Sequence, residues 1–128
     1  MMQVEIYNDS IAIIKYGSSC GRAFIAKGKH SVLGTMTELI PNHDEDLLYL
    51  YAFTISNSFK SICKKYTEVG TTPNLYFSDY SKADVYYPSE KKTFINAIDR
   101  LLKLENNLKA KLEKLSKIKL YLLSNLFI

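Results

Sequence analysis

A chain of 128 residues, 47% hydrophobic and 12% aromatic, holds one domain with at most an appendage, and has enough apolar surface to bury a core. That excludes disorder, and Lys119, Ser124 and Asn125 interrupt the longest terminal apolar run, which excludes a bilayer span. The net charge of +4 hints at nucleic acid without establishing it. Met1-Met2-Gln3 is no charged prelude to a signal sequence, so the chain reads as cytoplasmic.

The opening reads as short strands: Val4 to Tyr7, a turn at Asn8-Asp9-Ser10, then the β-branched run Ile11 to Tyr16, with a hairpin as the natural pairing. Gly17-Ser18-Ser19-Cys20-Gly21 is a turn, Arg22 to Ala26 a further strand, and Lys27-Gly28-Lys29 another turn. His30 to Ile40 is extended with a break at Gly34, and Pro41 ends the sheet. Asp44 is placed to cap one helix from Glu45 to Tyr66, whose Leu47, Leu48, Tyr51, Ile55, Phe59, Ile62 and Cys63 share a face and pack on the sheet. Val69 to Asn74 reads as a loop, Leu75 to Ser81 as a short turn, and Ala83 to Tyr87 as a last strand ended by Pro88.

Ser89 then caps a helix that no Gly or Pro interrupts before the C-terminus. Phe94, Ile98, Leu101, Glu105, Leu108, Leu112, Leu115, Lys119, Leu122 and Leu126 follow one alternating four-then-three spacing, the seam of a coiled coil. Such a helix runs roughly 55 to 60 Å, against a globule about 30 Å across, so it projects and needs a partner. Charge divides at the same place: residues 1–88 carry eight Lys and Arg against nine Asp and Glu, whereas residues 89–128 carry nine against four. Most of the basicity therefore sits on the helix, where a Lys-rich face ordinarily solvates a long helix. The fold class expected is α+β: a small β-rich globule over residues 1–88 with one packed helix, then a coiled-coil spacer and dimerisation helix over 89–128. The globule passes into that helix without a low-complexity linker, which predicts a rigid junction.

Motifs for chemistry are weak. Gly17-Ser18-Ser19-Cys20-Gly21 matches the nucleophile elbow G-x-S-x-G, but a strand-like segment follows where a helix is required, and no ordered acid and histidine come after it. His30 and His43 have no partner at catalytic or metal spacing and read as surface or capping residues. Cys20 and Cys63 lack paired spacing and read as buried or incidental thiols. No enzyme, metal or cofactor is expected. One region of the globule does crowd basic, aromatic and hydroxyl groups together: Lys15, Arg22, Lys27, Lys29 and His30 beside Tyr16, Ser18 and Ser19, a set suited to phosphates and base edges, or to an ordinary solvated hairpin.

From Val69 the residue order Gly70-Thr71-Thr72-Pro73-Asn74-Leu75, then Ala83-Asp84-Val85-Tyr86-Tyr87-Pro88, then Ser89-Glu90-Lys91-Lys92 opening a Leu/Lys-rich helix that ends Leu122-Leu123-Ser124-Asn125-Leu126-Phe127 is distinctive. It resembles the end of a target-recognition domain and its following helix in the specificity subunit of a type I restriction-modification enzyme. Upstream, Ile13 to Arg22 and the helix from Glu45 resemble the same domain, so the resemblance spans nearly the whole chain. It implies a non-catalytic protein. In that family two recognition domains each read half of a split site on double-stranded DNA, and two antiparallel helices hold them apart and dock methyltransferase subunits, with a restriction subunit able to join. This chain carries one recognition domain, shortened at its N-terminal side, and one helix.

The resemblance therefore implies a DNA-recognition half-subunit that completes itself as a homodimer through Phe94 to Leu126; parallel and antiparallel pairing both remain open. Lys15, Tyr16, Ser18, Ser19, Arg22, Lys27 and Lys29 are the expected DNA contacts, joined by Thr71, Thr72 and Asn74 of the second loop. The alternative is a protein-interaction module that binds methyltransferase or specificity subunits, regulating or complementing them without reading DNA.

Overall fold

The computed structural model describes residues 5–67, 72–76, 78 and 84–126. It divides into two compact units, Met1–Lys91 and Lys92–Ile128. The elements together make an α+β fold.

In the first unit, β1 (Ser10–Ile14) is the central strand of an antiparallel sheet ordered β2-β1-β3, with β2 at Ala23–Ala26 and β3 at Met36–Leu39. Ile11 stands opposite both Ile25 and Leu39, and Ile13 opposite Ala23 and Thr37. The β-branched run of β1 suits a pleated strand flanked on both sides, and Ile11 and Ile13 are wholly buried. They form the core with Phe59, Cys63 and Leu75, each of the large apolar side chains contributing about 1.5–3 kcal/mol of burial.

The expected hairpin between residues 4–7 and 11–16 is not formed. Tyr7 instead makes an isolated bridge with His30 through two backbone hydrogen bonds of 2.8 and 3.0 Å, and Val4 lies outside the described residues. The strands that pair with β1 are β2, across the glycine turn, and β3. His30 is likewise no free surface histidine: Nδ1 lies 2.8 Å from the Gly28 carbonyl, and Nε2 lies 3.1 Å from Ser10 Oγ and 3.4 Å from Glu38 Oε1.

The single helix expected over Glu45 to Tyr66 is a turn and two helices. Asp44–Asp46 form a 3-10 turn, followed by α1 (Leu47–Ile55) and α2 (Asn57–Tyr66). Asp44 caps nothing; it opens the 3-10 turn. Ser56 causes the break. Its backbone is extended, its N–H and hydroxyl both donate to Phe53 O, and its Oγ accepts from Phe59 N, so one serine closes α1 and caps α2. Both helices still face the sheet.

Residues 84–88 carry no strand, contrary to the last strand expected over 83–87, and Ala83 lies outside the described residues. Tyr86 and Tyr87 are instead held by side-chain bonds: the Tyr49 hydroxyl donates to Tyr86 O, and the Tyr87 hydroxyl donates to Asp46. Lys91, the last residue of this unit, joins the same cluster at 2.6 Å from Asp46 and 2.7 Å from Glu45, its ammonium 5.2 Å from the Tyr87 ring centre. Much of the turn read over 75–81 lies outside the described residues.

The second unit is one helix, α3 (Lys91–Leu126), of which only Lys91 belongs to the first. None of its residues is buried. Leu101 and Leu112 on the seam are each 66% exposed, and Leu126 is 72% exposed. Three ion pairs run i to i+4 along it, Asp99 with Lys103, Glu105 with Lys109 and Glu113 with Lys117, each contributing a few tenths of a kcal/mol.

Candidate nucleic-acid interface

The Gly17–Gly21 turn is built by backbone bonds. Gly21 N donates to Ile14 O at 2.8 Å, Ile14 N to Arg22 O at 2.9 Å and Cys20 N to Gly17 O at 3.0 Å. Gly17 and Gly21 have φ of 85° and 82°, a left-handed backbone that other residues enter only with strain. The Cys20 thiol donates to Lys15 O, which locks the turn's interior and leaves Ser18 at its exposed tip.

A second loop reaches this turn. Tyr16 and Asn74 form an isolated antiparallel bridge, Gly17 N donates to Pro73 O at 3.0 Å, and Leu75 N donates to Lys15 O at 2.9 Å. Leu75, read from sequence as the start of a turn, is fully buried and anchors that loop in the core. The two expected contact regions, far apart in sequence, are thus one surface. Lys15 lies with its ammonium 5.8 Å from the Tyr16 ring centre, and Tyr16, Ser18, Arg22 and Thr72 are exposed. Asn74 differs from these: its Oδ1 is buried without a hydrogen-bond partner among the described residues. Thr71 lies outside the described residues.

Lys27 and Lys29 do not join this surface. They follow β2, whose four residues carry the chain back to the opposite end of the sheet, roughly 15 Å from Arg22 at about 3.3 Å per residue. There Gly28 N donates to Asp9 Oδ1 at 2.6 Å, and Asp9 and Asp44 line a hollow with Asn8, Pro41 and Leu47. Asp9 and Asp44 thus share that end with Lys27 and Lys29, while Lys15 and Arg22 stand at the turn.

Both thiols, Cys20 in the turn and Cys63 against it, are partly or wholly buried. Burial pushes the Cys63 thiol up to about 11, and burial also raises Cys20. At the other end the Lys91 ammonium and the Tyr87 hydroxyl hold the Asp46 carboxyl below its ordinary range, against the opposing effect of desolvation. Among the described residues no cluster of three His, Cys, Asp or Glu could hold a metal ion, and no helix is long and apolar enough to cross a membrane.

The first unit thus carries a two-loop surface with a basic, aromatic and hydroxyl set, and the second unit is a single long helix. The chain belongs to the type I restriction modification DNA specificity domain family, which matches residues 3–114. Membership assigns it a DNA-recognition role in type I restriction-modification. No curated protein matches the chain.

Proposed function

We propose that this chain is a DNA-reading half-subunit whose 1–88 portion contacts bases through the joined loops and whose α3 pairs with α3 of a second copy. The observation that supports the reading is the Tyr16 to Asn74 bridge, which joins the loop of Thr72 to the turn that carries Lys15, Tyr16, Ser18, Ser19 and Arg22. Arg22 supplies base selectivity by its planar fork, and Lys15 positions the backbone as a point charge. Lys27 and Lys29 are outlying contacts to the flanking phosphates. A gel shift against a bound duplex tests this: Arg22→Ala relaxes selectivity, Lys15→Ala weakens all sequences alike, and indifference to both removes direct readout.

The exposed seam supports the dimer, and its two charged positions favour one direction. In a parallel pair Glu105 meets Glu105 of the partner subunit and Lys119 meets Lys119 of the partner subunit, both costly in an apolar seam. An antiparallel pair centred between Leu108 and Leu112 sets Phe94 against the partner's Leu126 and Ile98 against the partner's Leu122. It also brings Glu105 within about one turn, roughly 6 Å, of the partner's Lys119. A two-fold axis then places one reading surface at each end.

A second reading rests on a different observation. Leu104, Ile118, Leu120, Tyr121 and Leu123 are also exposed, off the seam, more apolar surface than one partner helix covers. This end of α3 suits a methyltransferase subunit, with a restriction subunit joining later. Capture of methyltransferase subunits by a chain indifferent to DNA sequence supports an interaction module in place of a reader.

A further inference from the structure

Two adjoining hollows lie on the α2 side of the glycine turn. Ile14, Gly21, Arg22, Phe24, Ile55 and Lys60 help line the first, and Cys20, Gly21, Lys60, Cys63, Lys64 and Thr67 line the second. Gly21 and Lys60 belong to both, so the hollows form one open groove with Arg22 on one wall and Lys60 and Lys64 on the other. Among the described residues no carboxylate lines it. Among the described residues, Arg22, Lys60 and Lys64 enter no ion pair.

Complementing the helix dipole accounts for a cation at Lys64, in the last turn of α2, but not for Lys60 further in. Lys65 stands at the same helix end, outside the groove, its ammonium 5.1 Å from the Tyr66 ring centre. Unpaired ammonium groups on one wall of an open groove suit a chain of single negative charges. They lack the fork that would select a planar group.

We infer that Lys60 and Lys64 hold the phosphodiester backbone of DNA in this groove, fixing the register in which Arg22 meets the bases; this rests on the DNA reading proposed above. Gly21 and Cys63, which both line the groove, approach each other closely and hold the turn against α2.

The test is the salt dependence of duplex binding by the full chain, measured on a mixed-sequence duplex and on the best duplex from a randomised pool. Lys60→Gln and Lys64→Gln each lower the slope of log affinity against log salt by about 1, and the double variant loses about tenfold less affinity than the parent between roughly 50 and 200 mM salt. Preferred sequence is unchanged, Lys65→Gln keeps the parental slope, and Lys60→Arg restores it. Should one glutamine variant fail to fold, the other still reports the contact by its own fall in slope. Unaltered slopes, or an equal fall in Lys65→Gln, overturn the inference while leaving selective reading intact. If the parent prefers no sequence but its slope still falls in both variants, the phosphate groove stands and base reading fails. A parent that binds neither duplex overturns both.

Discussion

Gly21 lies so close to Cys63 that a Cβ built on the glycine comes within 2.9 Å of Sγ and 3.1 Å of Cβ. The side chain it meets is short and buried in the core, so the contact cannot be relieved at a flexible tip. This approach is what seats the glycine turn on α2.

Gly21→Ala adds that overlap to the strain of φ at 82°. It should lower stability by about 2 kcal/mol, read as a fall in the urea midpoint with little change in slope. Gly21→Ala combined with Cys63→Ala should recover part of the loss, since the smaller side chain yields. Full stability in the single variant would show that the turn is not seated as described.

The Asp46 cluster predicts an acid-sensitive fold. Its carboxyl is held below the ordinary 3.8, first by the hydrogen bond from Lys91 and then by that from Tyr87. The unfolded chain therefore takes up the proton more readily. The stabilisation is complete above the unfolded value and is lost as pH falls through 3.8 toward the lower folded value. Lys91, raised by the same partner, mirrors this: its contribution is complete below its ordinary 10.5 and lost only in strong alkali. Asp46→Asn should lower the thermal midpoint at about pH 7 and flatten its decline toward about pH 3. An unchanged acid decline would assign the sensitivity to other carboxylates.

Thiol chemistry offers an independent check on burial. With Cys63 pushed up to about 11, roughly one thiol in a thousand is ionised at about pH 8. Iodoacetamide should alkylate Cys63 only through unfolding, at a rate that rises steeply with urea. Rapid labelling of Cys63 in the folded chain, read separately from Cys20, would contradict the core described.

Leu112→Glu at the centre of the exposed seam should weaken self-association by about 2 kcal/mol or more, roughly thirtyfold in Kd, with no loss of helix content in the monomeric first unit. Sedimentation at micromolar concentration reads the mass directly. A parent that sediments as a monomer removes the dimer.

Elements with a single strong local signal were legible in the sequence. The β-branched run around Ile11 and Ile13, the glycine turn and the uninterrupted helix after Pro88 all lie where their residues place them. Ser56 was missed because the apolar spacing runs on through it; the overlooked signal was Ser-Asn-Ser before Phe59, a capping sequence inside a helical pattern. Strand pairing was misread at Tyr7, since alternation marks a strand without naming its neighbour. The same gap divided the candidate site. Lys15, Arg22 and Lys27 are close in sequence, but β2 intervenes and carries Lys27 to the far end. The approach of Asn74 to Tyr16 depends on burying Leu75 and had no local signature.

Selection of bound duplexes from a randomised pool by the full-length chain tests the proposed reader most directly. A two-fold dimer that reads through Arg22 should enrich an inverted repeat with a spacer of fixed length, and Arg22→Ala should relax the enriched sequence while the dimer persists. A folded, dimeric chain that enriches no sequence would contradict it.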